Sequence, residues 1–366
     1  MNIEFIPLQE QSKNRWNEFC EKSDDAWFRH TTHFMDYIRN CRWEHKAKNF
    51  SFFVSLNGEL IAIVPLMIQP IYNQWECKEF AMYDTNIPFP AYIETKQNIN
   101  KKDINKLIFE HIDNIATDNS VVYSRFFIDP LTDQILQPKE QHFSFSAFGY
   151  TDYAISSNIL TLKDDEENIL RDMRKGHKAD VKYAIKMDYN VDIYDRTNIT
   201  EEKLLLFKEM HKQDAGRQTR PNESWGDMLE WIKSNHAILF LEKIPGSDQY
   251  VDGALVITYK NKAYYGSSAT MPGFENTRGL GHFIQWGTIR ELKRKGIDYY
   301  DIGWNFSQGF SQEIASAKES YISRYKAGFG GTIYPVYRGE KFYQEDYFIK
   351  LYRDRVKSFC ETKFRS

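Results

Sequence analysis

Apolar and polar residues alternate along the first 150 residues in patterns typical of both helices and strands. The pattern predicts helices around 16–21, 34–39 and 104–116 and strands over 51–69 and 121–129. Asn57-Gly58 interrupts the first apolar run, and this dipeptide between two apolar runs is a strong signal for a tight hairpin turn. We therefore expect two antiparallel strands on either side of it.

The rest of the chain continues this mixture of strands and helices. Strands are predicted over 158–162, 190–195, 237–243, 251–260, 262–270 and 297–303, and helices over 166–187, 201–213, 224–234 and 282–296. This order predicts an α+β protein. We place a domain boundary near residue 150, which gives domains 1–150 and 151–340, and we expect a C-terminal helix within 341–366 that packs on the fold.

Length, charge and composition narrow the class of protein. The chain has 366 residues, whereas a single core rarely grows past roughly 250–300, so two domains are favoured. The net charge of −3 excludes a protein that coats nucleic acid with its whole surface, and any anion site must be local. Aromatic residues make up 16% of the chain, which suffices for large cores and excludes wholesale disorder.

The sequence predicts a cytoplasmic location. Its longest apolar run, 60–68, is much shorter than the about 20 residues that a membrane-spanning helix needs. The first residues, MNIEFIPLQEQSKN, lack the basic and then apolar order of a secretory signal. No CxxC pair occurs among the four cysteines, as expected of reduced thiols: Cys20, Cys41, Cys77 and Cys360.

Positive charge is concentrated in RDMRKGHKADVKYAIK, residues 171–186. On one continuous helix its basic side chains would share an arc of roughly 120° beside an apolar face. These side chains are Arg171, Arg174, Lys175, Lys178, Lys182 and Lys186. Like charges at this spacing repel, so we expect an anion, such as a phosphate, a pyrophosphate or an RNA backbone, with Arg174 and Lys178 binding the substrate. The alternative is a solvated lysine face without a ligand.

A glycine-containing turn occurs in ENTRGLGHFIQWGTIRELKRKGIDYYDIG, residues 275–303. Gly279 and Gly281 precede a predicted helix, so backbone N–H groups can approach a phosphate closely, and the helix N-terminus and Arg278 add positive charge. We predict that Arg278, Gly279, Gly281 and Gln285 bind the cofactor and that Trp286 binds the substrate. A turn needed only for packing would give the same pattern.

A third group of residues surrounds the end of the predicted strand 297–303. Asp301 and Gly303 are expected to leave the sheet there, and the later segment YISRYKAGFGGTIYPVYRG places Lys326 among glycines that permit tight bends near a ligand. A carboxylate at a strand end can act as a base or orient an amine, so Asp301 and Lys326 are the predicted catalytic residues. Asp301 could instead bridge a loop, and Asp84 and Asp129 are alternative bases.

The remaining motifs give only weak evidence for a functional site. Ser267 and Ser268 in YYGSSAT either line a cleft or finish a strand, and Ser267 is counted as substrate-binding. His30 and His33 lie three residues apart, but no further residue completes metal-ligand spacing, so no metal is predicted. The sequence has no GxSxG, P-loop or kinase signature.

The three segments, in this order, resemble the FemAB family of peptidoglycan-bridge aminoacyltransferases and the acetyltransferase-like proteins grouped near it. The resemblance covers roughly residues 16–339 and is most specific in MRKGHKADVKYAIK, FIQWGTIRELKRKGIDYYDIG and YKAGFGG. The last resembles the family's phenylalanine-lysine-x-glycine-phenylalanine-glycine element, with Tyr325 replacing the first phenylalanine. GELIAIVPLMI in the first half matches more loosely.

The resemblance implies two tandem domains of the acetyltransferase (GNAT) fold, each a mixed, largely antiparallel sheet flanked by helices, with a cleft between them. It also implies that an amine attacks a thioester or an aminoacyl ester without a covalent enzyme intermediate, so the protein must supply positioning, a proton route and oxyanion donors. By carry-over, Arg174 and Lys178 would meet phosphates of donor or acceptor, Gly279 and Gly281 would form the acyl-donor turn, and Lys326 would face the cleft.

The sequence departs from the family in two places. The long helical arm of bridge-forming members has no counterpart, because only about 35 residues separate Glu201 from His236 and these hold two predicted helices. Asn276 stands where the acyl-CoA signature usually has Gln or Arg, although both glycines of the signature are kept.

We therefore predict an N-acyltransferase that transfers an acyl group from acyl-CoA to an amino group of a cell-surface precursor, such as a nucleotide-linked amino sugar or a peptide. Its partner would be a phosphorylated small molecule or a lipid-linked substrate. One alternative is an aminoacyltransferase of the bridge type that uses aminoacyl-tRNA, and another is a degenerate member that binds a precursor without turnover. Binding of CoA compared with charged tRNA separates the first two, and product formation separates both from the third.

Overall fold

The structure is a computed structural model that describes residues 2–41, 47–82, 85–95, 97, 99–138, 144–306 and 316–364. Its contacts divide the chain into two compact units. The first unit comprises Met1–Ser156, Phe306–Ser320 and Pro335–Ser366, and the second comprises Ser157–Asn305 and Tyr321–Tyr334. The end of the chain therefore belongs to the first unit, whereas the sequence places 151–340 in one domain.

Helices and strands alternate along the described chain. The helices are α1 (Lys13–Lys22), α2 (Thr32–Asn40), α3 (Lys101–Asn119), α4 (Asp133–Leu136), α5 (Glu166–Asp172), α6 (Lys175–Lys186), α7 (Glu201–Ala215), α8 (Asn222–Lys233), α9 (His282–Arg294), α10 (Ala317–Ala327) and α11 (Glu345–Phe364). The strands are β1 (Ile3–Pro7), β2 (Lys48–Asn49), β3 (Phe52–Leu56), β4 (Glu59–Val64), β5 (Met67–Ile71), β6 (Gln74–Phe80), β7 (Ile87–Pro88), β8 (Ala91–Tyr92), β9 (Val121–Phe127), β10 (Thr151–Thr161), β11 (Asn190–Tyr194), β12 (Ala237–Lys243), β13 (Tyr250–Tyr259), β14 (Lys262–Thr270), β15 (Tyr299–Asn305) and β16 (Thr332–Phe342). Short 3-10 helices cover Glu10–Ser12, Phe28–His30 and Phe145–Phe148.

The first unit contains two groups of paired strands. The antiparallel order β1-β3-β4-β8 includes the predicted hairpin, whose turn residues Asn57 and Gly58 both have positive φ, at 50° and 86°. In the other group, β16, β9, β6, β5 and β2 are neighbours in that order, and β6 and β7 run parallel to β9. The hairpin prediction is therefore confirmed.

Helix α11 is tied to β16 by a buried ion pair. Glu340 of β16 is 1% exposed, and its Oε2 accepts from Arg355 Nη2 of α11 at 2.8 Å and from the Tyr123 hydroxyl at 2.6 Å. A buried charge needs such partners to offset its loss of hydration, so these contacts fix α11 on the first unit.

The second unit is built on a sheet with the strand order β11-β12-β13-β14-β15-β10. The strands from β11 to β14 are antiparallel, whereas β14 and β15 are parallel. Helices α6 and α9 contact each other, and α9 also contacts β12 and β13. The core between these elements is apolar and aromatic and includes Phe240, Trp286, Ile289, Tyr300 and Phe329.

The single helix predicted over 166–187 is wrong, because the chain forms α5 and α6 with a break between them. Met173 and Arg174 at the break have extended backbones, with ψ of 145° and 143°. The backbone N–H of Arg174 donates to the carbonyl oxygen of Gly328 at 2.9 Å instead of continuing the helix, and Met173 is buried. The basic residues of 171–186 therefore do not share one continuous helical arc: Arg171 lies on α5 and Arg174 precedes α6.

The expected position of Asp301 at a strand end is also wrong. Strand β15 continues to Asn305, so Asp301 lies inside it, pairs with Tyr264 of β14 and is 1% exposed. Among the described helices, none is long and apolar enough to cross a membrane.

Candidate active site

The ring of His177 on α6 joins two of the segments that the sequence singles out. Its Nε2 donates to the carbonyl oxygen of Tyr325 at 2.8 Å, and its Nδ1 accepts from Arg174 Nη2 at 3.2 Å. Burial, together with the nearby His282 and Arg174, lowers the pKa of His177 to about 4. The ring is therefore neutral at pH 7, as one donating and one accepting nitrogen require.

The glycine turn before α9 has the predicted geometry. Gly281 directly precedes the helix and has a φ of 75°, and Gly279 has a φ of 88°. The Cα of Gly279 packs on α6, since a Cβ there would lie 3.0 Å from the Cβ of Ala184. Glycine is thus needed both for the backbone conformation and for the close approach to α6.

The polar groups of this turn already have partners inside the unit. The N–H of Gly281 donates to Glu242 Oε2 at 3.4 Å. Arg278 Nε donates to Asp180 Oδ1 at 3.1 Å, and its guanidinium lies 4.3 Å from the ring centre of Tyr183. The N–H group and the positive charge that were expected to meet a phosphate are therefore engaged by this chain's own acidic residues.

Two buried carboxyl groups that sequence reasoning missed lie beneath the turn. Glu242 on β12 and Asp252 on β13 are directly opposite each other, and they are 0% and 4% exposed. Burial, and then the neighbouring Asp252, raises the pKa of Glu242 well above its usual value; burial also raises the pKa of Asp252, to about 7. Glu242 Oε1 is buried without a hydrogen-bond partner among the described residues.

In the sequence, the only indication of this pair is that each of two predicted apolar strands contains one carboxylate residue. Their pairing depends on the register of β12 and β13, which shifts between Glu242 and Lys243. Register is set by the turn and by packing rather than by local composition, so the sequence did not reveal the pair.

Strands β14 and β15 separate soon after they begin. Their parallel pairing covers Lys262 with Tyr299, Ala263 with Tyr300 and Tyr264 with Asp301, whereas β14 continues to Thr270. Beyond this point the two strands are not paired with each other, and the sheet opens between them. The partly exposed Ser267 lies on the separated part of β14.

Asp301 and Lys326 both lie near the point where the strands separate. Asp301 Oδ1 accepts from Ser157 Oγ at 2.6 Å and from the N–H of Gly303 at 2.7 Å. Lys326 Nζ lies against Gly303, 2.5 Å from the position that a Cβ on that residue would take. Burial lowers the pKa of Lys326, and the charge of Asp301 opposes this shift. Lys326 forms no side-chain hydrogen bond or ion pair within the described chain, which leaves it free to meet an anion.

Some of the other predicted binding residues are buried, and others are exposed or partly exposed. Gln285 is 0% exposed and accepts from the Tyr300 hydroxyl at 2.9 Å, and Trp286 belongs to the core. Arg174 is exposed, and Lys178 Nζ donates to the carbonyl oxygen of Arg171 at 3.0 Å. The roles assigned to these residues stay predictions.

The alternative bases lie in the first unit or outside the described residues. Asp129 pairs with Arg29 at 3.0 Å, and both side chains are buried. Asp84 lies outside the described residues. Within the described ranges, no cluster of His, Cys, Asp and Glu has the arrangement of a metal site.

Comparison with known proteins identifies the fold. No family model matches the sequence, and no curated protein sequence matches it either. The solved structure of FemX is similar at 13% identity, with 96% of this chain and 100% of that chain covered and a TM-score of 0.66. L-PGS from Bacillus licheniformis is similar at 11% identity, with 94% and 96% covered and a TM-score of 0.57. A tandem GNAT protein from the clavulanic acid biosynthesis pathway is similar at 10% identity, with 93% and 98% covered and a TM-score of 0.53.

These likenesses cover nearly the whole chain and establish its architecture. The chain has the α+β fold of a tandem GNAT protein, and FemX is similar to it over nearly the whole chain. The predicted fold class is therefore confirmed.

Proposed function

We propose that the chain is a transferase that forms an amide between an activated acyl group and an amino group of a cell-envelope precursor. The fold that it shares with FemX, L-PGS and a tandem GNAT protein supports this class of reaction. The observation that carries the proposal is the separation of β14 and β15, with Lys326 at the point where they part.

The arrangement suits attack of an amine on a carbonyl carbon. An extended acyl donor binds between the separated strands, which places its carbonyl near Gly303 and Lys326. A half-buried cation without a direct counter-ion stabilises the negative charge that develops on the carbonyl oxygen, and it does so most strongly where water is excluded. Asp301 keeps Lys326 charged through its own negative charge.

Acyl-CoA and aminoacyl-tRNA are the two donors that the sequence predicts. Acyl-CoA would place its pyrophosphate at the turn before α9, where Glu242 accepts from Gly281 and Asp180 pairs with Arg278. These internal partners occupy the groups that would bind a pyrophosphate. An aminoacyl ester needs no pyrophosphate site, so the turn favours aminoacyl-tRNA as the donor. The exposed Arg174 and Lys175 at the start of α6 and the exposed Lys182 in its second half suit an RNA backbone or the phosphates of the acceptor.

Product formation tests the proposal. The protein is incubated with acetyl-CoA or with alanyl-tRNA, each together with a nucleotide-linked amino sugar, and the acceptor is analysed by mass spectrometry. We expect a mass increase that corresponds to one acyl or alanyl group, and a larger yield from alanyl-tRNA. Tight binding of the acceptor with no product from either donor would instead identify a binding protein.

A further inference from the structure

Glu242 and Asp252 cannot both be ionised at neutral pH. They face each other across β12 and β13, both are almost completely buried, and within the described chain neither is paired with a lysine or an arginine. Two adjacent negative charges in a medium of low dielectric constant disfavour each other, so the pair keeps at least one proton. Such a pair lowers stability, which is a frequent sign of a functional site.

Among the described residues, the groups around the pair supply hydrogen bonds but no positive side chain. Asp252 Oδ1 accepts from the N–H of Gly253 at 2.9 Å and from the Thr270 hydroxyl at 3.1 Å, and Glu242 accepts from Gly281 at the start of α9. The titratable groups that face the pair from other elements are one acid and three phenols: Asp214 of α7, Tyr189 after α6, Tyr265 of β14 and Tyr325 of α10. Protons on the pair are therefore exchanged through a hydroxyl or through solvent.

Tyr325 connects the pair to the surface of the second unit. Its side chain is partly exposed, and its hydroxyl forms no hydrogen bond among the described residues. The hydroxyl oxygen and Asp252 Oδ2 lie 3.1 and 3.7 Å from the position that a Cβ on Gly281 would take. Because Gly281 has no side chain, the space between these two oxygens stays open. Tyr325 also directly precedes Lys326 in the last turn of α10.

We propose that Glu242 and Asp252 accept and return the amine proton of the transfer reaction through the hydroxyl of Tyr325. This inference rests on the proposed function. Tyr325 is the catalytic residue because its hydroxyl meets the amine, and Glu242 and Asp252 are positioning residues that act through it. Asp301 is a poorer proton acceptor, since Ser157 and Gly303 already donate to its Oδ1.

The proton transfer leaves the protein unchanged after each turnover. The neutral amine attacks the donor carbonyl, and its N–H proton passes to the oxygen of Tyr325, while the proton of Tyr325 passes through one bridging water, in the space that Gly281 leaves open, to the ionised carboxyl of the pair. The C–N bond forms, and the bond to the oxygen or sulfur of the leaving group breaks with its electron pair. The proton then returns through Tyr325 to that leaving atom, so no other reactant is consumed.

The first experiment needs no substrate. Infrared difference spectroscopy follows the C=O stretch of buried protonated carboxyl groups between about pH 4 and about pH 9. In the wild type we expect a band that disappears near pH 7, the value to which burial raises the pKa of Asp252. The loss of band intensity near pH 7 should be absent from Asp252→Asn, in which the band of the buried Glu242 remains, and it should be unchanged in Glu223→Gln, which alters an exposed carboxylate on α8. A wild-type band that is already lost near the usual carboxyl pKa of about 4 would overturn the proposal.

The second experiment is the pH–rate profile of amide formation from alanyl-tRNA and a nucleotide-linked amino sugar. Wild-type kcat should rise with an apparent pKa near 7. Asp252→Asn should remove this rise and lower kcat by about 10²- to 10⁴-fold, with KM changed by at most a few fold, whereas Asp252→Glu should restore part of the rate. Tyr325→Phe should lower kcat by about 10- to 10²-fold, because water can replace the hydroxyl only in part.

Wild-type rates and profiles in both Asp252→Asn and Tyr325→Phe would overturn the relay. Absence of amide from both donors would overturn the proposed function itself. The infrared titration needs no substrate, so it still shows whether the carboxyl pair exchanges a proton when no amide forms. Failure of the relay and failure of the proposed function can therefore be distinguished.

Discussion

The ring of His177 lies directly against the Cα of Gly328, where a Cβ would come within 2.7 Å of the ring carbon Cδ2. The ring cannot move away easily, because its two nitrogens are hydrogen-bonded to Tyr325 and Arg174. Helix α6 and the loop after α10 are held together at this contact, which sets the position of Lys326.

Gly328→Ala should therefore destabilise the second unit by about 1 to 3 kcal/mol, the usual cost of overpacking a rigid contact. Gly176→Ala is the matched control, because it lies in α6 and a Cβ there would meet nothing within 4 Å. The control should be neutral or stabilising by about 0.5 to 1 kcal/mol. Urea denaturation measures both changes, and equal stabilities of the two variants would contradict the described contact.

Asp252→Asn should stabilise the protein in a pH-dependent way. The amide keeps the oxygen that accepts from Gly253 and Thr270 but carries no charge. In the wild type, burial raises the pKa of Asp252 to about 7, so the unfolded state ionises before the folded state and stability falls as pH rises through this range.

The variant should match the wild type near pH 4 and exceed it by about 1 to 3 kcal/mol above pH 8, with the difference developing between these values. Urea denaturation at several pH values, with Glu223→Gln as the exposed control, measures this difference. A stability difference that does not change with pH would show that Asp252 titrates normally.

Gly281→Ala distinguishes two roles of the turn before α9. An anion site predicts a higher donor KM, whereas the proton relay predicts a lower kcat, because the new Cβ would lie between Tyr325 and Asp252. We expect kcat to fall by about tenfold or more with donor KM nearly unchanged. Gly273→Ala is the control for backbone strain, since Gly273 also has a positive φ of 91° and open space around its Cα.

Arg174→Ala combined with Lys178→Ala tests the basic residues around the start of α6. Loss of two charge-assisted contacts should weaken binding of a nucleotide-linked amino sugar by about 2 to 4 kcal/mol. Calorimetric titration measures the binding, and Lys186→Ala, at the other end of α6, should bind like the wild type. If the double variant and this control bind equally well, these residues form only a solvated surface.

Local chemistry allowed several elements to be predicted. Asn57-Gly58 specified its hairpin, and Gly281 specified the start of α9, because both depend on backbone conformations that the residues themselves favour. The break at Arg174 was not predictable, since its partner, the carbonyl of Gly328, is distant in sequence. The Glu242–Asp252 pair likewise depends on strand register.

The surroundings of Asp301 and Lys326 differ from those that the sequence predicts, and their catalytic roles stay predictions. Chain order placed both near the end of a strand, whereas β15 extends past Asp301 and buries it. What the sequence could not provide is the separation of β14 from β15, because that feature arises from pairing between strands with a helix between them in the chain.

The rate of amide formation by Lys326→Met tests the central claim most directly. Methionine has a similar volume but no charge, so folding should be retained while stabilisation of the oxyanion is lost. We expect kcat to fall by about 10²- to 10³-fold in a mass-spectrometric assay with alanyl-tRNA, and Asp301→Asn to have a smaller effect. A wild-type rate in Lys326→Met, or no amide from the wild type with either donor, would contradict an acyl-transfer site at the separated strands.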